Sequence, residues 1–383
     1  MTQALAKCRP LLCATVGVLS TLGVLSLTHL GPVQAQSPGV NLAALVAQVN
    51  TLKAQVTTLQ GRATVLETKT APLSVSGTPG TFPATLSITG VNVQVVSGLG
   101  RTDDGGTLSG LGNLIIGYNA LGNSRGAGDV RTGSHNLILG DQNSYSSFGG
   151  LVAGTDNAIS GQYASVSGGY FNTASGNYSS VSGGDFNTAS GQYASVSGGD
   201  NNTASGNYSS VSGGGNNKAS GTFASVSGGG NNTASNYYSS VSGGGNNTAS
   251  AFYASVSGGA INIASGNYSS VSGGNQNTAS NQFSSVSGGV NNAASGSYTS
   301  VSGGANNMAS GQATSISGGD NNTTSAFSSS VSGGYFNTAS AFSSSVSGGV
   351  NNTASGQDAS VSGGNGLTQS NNYGWTGGIY HSP

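Results

Sequence analysis

Residues 165–178, SVSGGYFNTASGNY, are the first full copy of a sequence repeat that continues as far as Gly364. The aliphatic residue at Val166 returns every 15 residues until Val361. A strict period of this length is typical of stacked repeats, in which one coil cannot bury its apolar face alone and its neighbours complete the core. Helix is a poor interpretation, because Gly, Ser, Asn and Thr are weak helix formers and no 3.6-residue period appears. The sequence therefore predicts an all-β fold, a parallel β-solenoid of 14–15-residue coils whose regular repeats span residues 163–364.

The shape of one coil follows from the alternation of side chains along an extended strand. Val166 points inward between two outward serines, and beyond the Gly168-Gly169 corner Asn172 shares a face with Ala174. The predicted core of the coils includes Val166, Val181, Val196, Val211, Asn172, Asn187, Ala174 and Ala189. An inward asparagine in each coil predicts a ladder of side-chain amides bonded from coil to coil, because an unpaired buried amide is costly. A disordered linker is the alternative. The valine, asparagine and alanine at fixed positions of the repeats argue against it, because a disordered chain has no core that requires them.

Residues 1–35 have the composition of a secretory signal peptide. Two basic residues precede an apolar run over residues 11–30, and Ala35 ends a small-residue cleavage site. A transmembrane anchor is the alternative, which the polar residues within the run make less favourable. Cys8 and Cys13 both lie in this segment, so a chain that begins at Gln36 would have no disulfide and no thiol chemistry. We therefore expect a secreted protein without an integral membrane segment after signal cleavage.

A different period follows the signal peptide. Aliphatic residues alternate steps of three and four along the chain, at Leu42, Leu45, Val49, Leu52, Val56, Leu59, Ala63 and Leu66. This pattern predicts the seam of an N-terminal α-helical coiled-coil stalk at residues 36–71, which Pro72 ends. Valine at a with leucine at d favours two strands. One amphipathic helix packed on its own solenoid is the alternative.

Three further segments complete the predicted organisation. Residues 72–110 form a neck or connector, residues 111–162 form divergent head coils with an inserted loop, and residues 365–383 form a C-terminal cap. The inserted loop, residues 121–132, carries most of the local charge and is either a solvated loop or a binding loop. The cap would keep the open edge of the last coil from recruiting another chain.

An aromatic residue recurs at one position in ten consecutive coils, and strand alternation predicts that it faces outward. These residues are Tyr163, Tyr178, Tyr193, Tyr208, Phe223, Tyr238, Tyr253, Tyr268, Phe283 and Tyr298. Since coils stack about 4.8 Å apart, the side chains would form a continuous strip, and a strip of that size is rarely left exposed on a monomer. We interpret it either as an interface between subunits or as an adhesive surface for sugars or another polymer.

Composition favours a non-enzymatic protein. Charged residues are 5% of the chain, and loss of Lys7 and Arg9 with the signal peptide takes the formal net charge from −1 to −3. Neither nucleic acid nor an anionic membrane is therefore an expected partner. Outside the signal peptide the histidines are His135 and His381, and neither has a thiol, a phosphate loop or paired carboxylates nearby in sequence. We interpret His135 as a hydrogen-bonding residue and expect no cofactor or metal; an enzyme with its site in residues 100–160 is the alternative.

Short coils that contain Val-Ser-Gly and then Asn-Thr-Ala-Ser-Gly, as at residues 166–168 and 172–176, resemble the YadA-like head repeats of trimeric autotransporter adhesins, as does their attachment to a heptad stalk. The resemblance covers residues 42–364. It implies a homotrimer of parallel β-rolls on a coiled-coil stalk that binds a matrix, a surface polymer or a cell surface, whereas the heptads favour a dimer. Two features depart from the family: the stalk precedes the head, and the residues after Gly364 are too few for the membrane β-strands that anchor and export its members.

A second resemblance is to the ice-binding β-rolls of grasses, in which a flat face of outward Thr and Ser orders water. The corresponding threonines here are Thr173, Thr188, Thr203, Thr233 and Thr248. The column is interrupted by Lys218, Ile263, Ala293 and Met308. We therefore expect a secreted adhesin or structural rod of the bacterial cell surface that acts through many repeated contacts, with ice binding through the Thr and Ser columns as the alternative.

Overall fold

The computed structural model of the chain describes residues 41–76, 85–122 and 129–378. The signal peptide predicted at residues 1–35, residues 123–128 of the inserted loop, and residues 379–383 of the predicted cap lie outside the described residues. The chain divides between Gln94 and Val95 into two compact units, and each is described by itself.

The described part of the first unit contains one helix and one hairpin. Helix α1, Leu42–Thr70, begins after Asn41, whose Oδ1 accepts hydrogen bonds from the backbone N–H groups of Ala43 and Ala44 at 3.1 and 3.2 Å. This cap satisfies N–H groups that have no partner within the helix. Antiparallel strands β1, Leu73–Ser76, and β2, Thr85–Ile88, follow the helix. The helix within residues 36–71 is present, but none of its residues is buried, so the chain alone does not establish a coiled coil.

The second unit is a parallel β-solenoid of about 16 coils, as predicted. A single 3₁₀ turn, Asp104–Gly106, precedes the described coils. The strands of the first long sheet, which we call the valine sheet, are Leu114–Ile116, Leu137–Asp141, Leu151–Thr155, Ser165–Val166, Ser180–Val181, Ser195–Val196, Ser210–Val211, Ser225–Val226, Ser240–Val241, Ser255–Val256, Ser270–Val271, Ser285–Val286, Ser300–Val301, Ser315–Ile316, Ser330–Val331, Ser345–Val346, Ser360–Val361 and Trp375–Thr376. The strands of the second, which we call the alanine sheet, are Ser144–Tyr145, Ala158–Ile159, Thr173–Ala174, Thr188–Ala189, Thr203–Ala204, Lys218–Ala219, Thr233–Ala234, Thr248–Ala249, Ile263–Ala264, Thr278–Ala279, Ala293–Ala294, Met308–Ala309, Thr323–Thr324, Thr338–Ala339, Thr353–Ala354 and Thr368–Gln369.

Each strand pairs with the equivalent strand of the coils before and after it. In the regular coils Val166 is paired with Val181, and the step of 15 residues is therefore the structural repeat. The earlier coils are one residue shorter, since Ile138, Val152 and Val166 are in register although they are 14 residues apart. The residue gained in the later coils lies between Val166 and Asn172, at the double-glycine corner.

The interior of the solenoid is narrow and is filled mainly by one valine, one asparagine and one alanine from each coil. The core residues named from the sequence, Val166, Val181, Val196, Val211, Asn172, Asn187, Ala174 and Ala189, are each at most 1% exposed. A further inward position holds alanine, serine or threonine, as at Ala164 and Ser179. One coil supplies so little apolar area that the core exists only through stacking.

The buried asparagines form a hydrogen-bonded ladder that continues to Asn352. Asn187 is representative: its Oδ1 accepts the backbone N–H of Asn202 in the next coil at 2.9 Å. Its Nδ2 donates to the carbonyl of Gly183 in its own coil at 3.0 Å and to that of Gly199 in the next coil at 2.9 Å. The bonds join neighbouring coils as predicted, but each connects a side chain to the backbone rather than one amide to another. The asparagine thus satisfies the carbonyls that the double-glycine corner turns inward.

The two glycines of that corner have different surroundings. Gly184, the second of its pair, has φ +79°, and a Cβ there would lie 2.1 Å from the carbonyl oxygen of Gly199. Gly183, the first, has no atom within 4 Å of the position of a Cβ. At the second position both the lack of space for a Cβ and the left-handed φ therefore require glycine, whereas at Gly183 there is space for a side chain.

Candidate interaction surface of the solenoid

Ten aromatic side chains at 15-residue intervals, from Tyr163 to Tyr298, lie on the outside of the solenoid, and we call them the aromatic strip. Their exposed fractions are 36–56%, and each has φ between 53° and 60°. Left-handed backbone is uncommon for a bulky residue. Here a backbone hydrogen bond between coils stabilises this conformation. The N–H of Tyr178 donates to the carbonyl of Gln162 at 2.8 Å, and the N–H of Tyr193 donates to the carbonyl of Asn177 at 2.9 Å. Repetition of this turn places every ring at the same corner.

The rings of the strip stack on one another. Successive ring centroids are 4.8–5.3 Å apart, with interplanar angles of 6–21°. The edge of one further ring, Phe148, meets Tyr163 at 5.2 Å, and the strip ends at Tyr298 because the next coil has Ala313. Except for the outer face of the last ring, Tyr298, the ring faces of the strip are therefore covered by neighbouring rings. What it presents to a partner are ring edges and tyrosine hydroxyls.

Additional rings widen the strip near its middle. Tyr237 and Phe252, one residue before Tyr238 and Tyr253, stack on each other at 5.6 Å. Each also meets its neighbour in the strip edge to face, at 4.6 Å. Burial, together with the nearby Tyr237, raises the pKa of Tyr238 above its ordinary value. Its hydroxyl therefore remains protonated at neutral pH and can donate a hydrogen bond.

The residues predicted for the coiled-coil seam lie on helix α1 without burial. The exposed fractions are Leu42 67%, Leu45 48%, Val49 38%, Leu52 57%, Leu59 59% and Leu66 63%. Val56 and Ala63 are of intermediate exposure. An apolar stripe of this length on one helix is the kind of surface that a second helix covers.

His135, interpreted from the sequence as a hydrogen-bonding residue, bonds to backbone groups through both ring nitrogens. Its Nε2 accepts the N–H of Ser97 at 3.1 Å, and its Nδ1 lies 2.9 Å from the carbonyl oxygen of Thr102. Because Nε2 accepts, Nδ1 must carry the proton and donate. Both nitrogens are thus used in joining residues 97–102 to the first coils, which is a structural role.

Asp104, the carboxylate beside His135, is also fully engaged. Its Oδ2 accepts from the hydroxyl and the N–H of Ser109 at 2.6 and 2.9 Å, and its Oδ1 accepts from the hydroxyl of Ser97 at 2.5 Å. The Ser109 hydroxyl first, and then those of Ser134 and Ser97, hold the pKa of Asp104 well below its usual range. A carboxylate stabilised in this way is a poor proton acceptor. Within the described ranges no group of three or more His, Cys, Asp or Glu side chains is placed to hold a metal ion.

The described part of the inserted loop is tied to the first coils by charge. Arg131 pairs with Asp129 at 3.4 Å and donates from Nη2 to the carbonyl of Ala120 at 2.7 Å. Asp129 also accepts the N–H of Gly122 at 2.8 Å. The base of the loop is therefore ordered by its own ion pair.

The outward threonines lie on the alanine sheet, in register from coil to coil. Thr173, Thr188 and Thr203 are paired in sequence, and Lys218 then takes the next place. Ile263, Ala293 and Met308 interrupt the same column further along. The face is regular over short stretches only.

A second corner column was not singled out from the sequence. It has left-handed φ at Phe171, Phe186 and Phe336, and at asparagines such as Asn201 and Asn306. Asparagine tolerates this conformation better than most residues, so the Asn-Asn pairs of the repeat were a signal for a second turn. This corner adjoins the alanine sheet and contains aromatic residues whose surroundings differ from those of the strip.

The class of protein that this fold defines is the parallel β-solenoid. The chain matches no protein-family model, and no curated protein is similar to it. In the described residues no helix is both long and apolar enough to cross a membrane.

Proposed function

We propose that this protein is a secreted, non-enzymatic rod of the bacterial cell surface, an adhesin or structural spacer that acts through many repeated contacts. The aromatic strip is the observation that carries the proposal. It repeats one contact group in ten consecutive coils at 4.8–5.3 Å intervals, so contacts that are weak singly would add together.

The strip supports a protein interface better than a platform for sugars. A sugar ring binds an aromatic residue through the ring face, and these faces are covered within the stack. Ten side chains of about 200 Å² each, a little less than half exposed, offer roughly 900 Å², which is comparable to one partner's share of a standard interface. Association of copies of this chain along their strips is therefore part of the proposal.

Helix α1 supports assembly in a second way. Its heptad stripe is exposed, and a coiled coil would cover it. We propose that α1 forms a coiled-coil stalk that brings the solenoids of two or three chains together, with three favoured by the likeness to YadA-like head repeats.

Light scattering on a sizing column tests the assembly. The chain from Gln36 is expected to have the mass of three copies, and a chain that lacks residues 36–72 is expected to associate more weakly. Two copies would support the heptad rule against the family likeness. A folded monomer would contradict the proposed assembly.

The adhesive function is tested separately, by attachment of cells with and without the gene. Tyr193→Ser and Tyr208→Ser, which introduce a residue found in the same column at Ser328, are expected to weaken attachment or association while the fold is kept. Matched changes in the same column on the C-terminal side of the strip, Ser328→Ala and Ser343→Ala, are the controls. No change in mass and no change in attachment would refute a role for the strip.

Ice binding is the second candidate, and the threonines of the alanine sheet favour it. Thr173, Thr188 and Thr203 are in register beside outward serines. Thermal hysteresis and inhibition of ice recrystallisation by the purified chain would support this function. Their absence, together with attachment, would leave adhesion as the explanation.

A further inference from the structure

A shallow cleft lies where the outward column has a residue other than threonine in two consecutive coils. Its volume is about 450 Å³, within the roughly 300–1,000 Å³ range of small-molecule sites. Ala293 lacks the γ atoms of threonine, so the surface is lowered there, and Met308 follows in the next coil. The residues that line the cleft include Asn291, Asn306, Asn321, Met308, Thr338 and Phe336. None of the residues that line it is charged.

Phe336 differs from the rings of the aromatic strip because its faces are not both covered by other rings. It is 47% exposed, and its neighbours in the corner column are Asn321 and Asn351. Among the described residues its ring partner is Tyr335, at 4.3 Å and 77°. A perpendicular contact of this kind covers at most one face. At least one face of Phe336 is therefore free of any ring, and the 47% exposed fraction is the part of the side chain that a ligand could contact.

The amides of the cleft are oriented by a chain of hydrogen bonds. Asn291 Nδ2 donates to Asn306 Oδ1 at 2.9 Å, and Asn306 Nδ2 donates to Asp320 Oδ1 at 3.1 Å. Asn321 Nδ2 donates to the same carboxylate oxygen at 2.9 Å. Each amide nitrogen keeps a second N–H group with a fixed direction. Groups held in this way lose little freedom on binding, which favours affinity.

We propose that this cleft binds an uncharged oligosaccharide. A pyranose ring presents an apolar face of C–H groups, which suits the negative face of an aromatic ring, and a rim of hydroxyls, which suits amides and threonine hydroxyls. The lining combines these two elements and carries no charge for an ionic ligand. The site is separate from the aromatic strip, and it does not depend on the proposed assembly.

The repeat itself supplies variants that keep the fold. Phe336→Asn introduces the residue that most other coils have at this corner, as at Asn306 and Asn351. Phe186→Asn makes the same change in the same column outside the cleft and is the matched control. The double variant Ala293→Thr/Met308→Thr places threonine, the residue of most other coils, at both positions of the column. The threonine side chain at position 293 would then fill part of the cleft.

Isothermal titration calorimetry of the full chain with hexasaccharides is the experiment. The probes are the uncharged β-1,4-glucan, α-1,4-glucan, β-1,3-glucan and β-1,4-N-acetylglucosamine hexamers, with a heparin hexasaccharide as the charged comparison. We expect saturable binding of at least one uncharged hexamer, weakened at least tenfold by Phe336→Asn and by the double variant. Phe186→Asn should leave the Kd within twofold.

The proposal would be overturned if no uncharged hexamer bound saturably, whether or not the charged one did. It would also be overturned if Phe186→Asn weakened binding as much as Phe336→Asn, or if both cleft variants bound normally. Loss of binding with Tyr208→Ser alone would assign the sugar to the aromatic strip and would overturn it too. The cleft variants are expected to keep the mass of the parent chain in light scattering. The cleft and the strip can therefore fail independently.

Discussion

Removal of one asparagine from the buried ladder should destabilise its coil strongly. Asn247 makes three bonds: its Oδ1 accepts the N–H of Asn262 at 2.9 Å, and its Nδ2 donates to Gly243 and Gly259 at 2.9 Å each. In Asn247→Ala the buried N–H of Asn262 loses its partner, whereas the carbonyl of Gly259 keeps the N–H of Gly245 at 3.0 Å. One orphaned donor at about 1–3 kcal/mol and two lost bonds at about 1 kcal/mol each give roughly 3–5 kcal/mol.

Hydrogen exchange at individual amides is the suitable assay, because long repeat arrays do not unfold in a single step. A loss of roughly 3–5 kcal/mol predicts exchange at Asn262 about two to four orders of magnitude faster, since about 1.4 kcal/mol corresponds to a factor of ten. Asn275→Ala is the control: the side chain is exposed, and the same column already contains Ala260 and Ala305. Exchange in Asn247→Ala within threefold of this control would refute the reasoning.

Three further changes are expected to have clear outcomes. Gly184→Ala should lower the local stability of its coil by at least about 3 kcal/mol, measured by hydrogen exchange at the amides of that coil, and Gly183→Ala by less than about 1 kcal/mol. Of the two, only Gly184 has left-handed φ and a carbonyl oxygen 2.1 Å from the added Cβ. Equal costs would contradict this. Thr324→Ala should stabilise its coil by about 1 kcal/mol, because Thr324 Oγ1 is among the buried atoms without a partner in the described residues. Ala309→Thr should destabilise its coil, and hydrogen exchange at the amides of the two coils measures both effects. Because the pKa of Asp104 is lowered on folding, its contribution to stability is present above about pH 4 and is lost progressively as pH falls below the unfolded value. After correction for intrinsic exchange at each pH, the opening free energy of the first coils should show this loss, and Asp104→Asn should remove this part of the pH dependence.

The two aromatic surfaces illustrate why residue type alone does not determine what a surface binds. Tyr193 has a parallel ring on each side, at 4.9 Å in both directions, so its faces serve the stack. Phe336 has amide side chains rather than rings in the adjacent coils of its column, and it is 47% exposed. Stacking leaves the strip with edges and hydroxyls, which suit a protein partner. Phe336, which lies outside any parallel stack and beside oriented amides, suits a sugar.

Much of the fold could be predicted because each coil repeats the same pattern of inward and outward residues. The 15-residue return of Val166, with Asn172 and Ala174 on the inward face, was sufficient to predict a parallel solenoid and its core. The heptads predicted helix α1, Leu42–Thr70. The hydrogen-bond partners of the buried asparagines were less accessible. Whether an amide bonds another amide or a carbonyl depends on where the glycine corner of the next coil lies.

The sequence by itself determined the period, the register and the inward residues, because side chains at a constant separation meet their own equivalents in the next coil. Only the tertiary structure decided that the turn at Tyr178 has left-handed φ, that the rings of the strip cover one another, and that Asn306, Met308 and Phe336 line one cleft. These features depend on contacts between columns that belong to different faces of the coil. Their distances are set by the geometry of two turns, which a pattern along one strand does not contain.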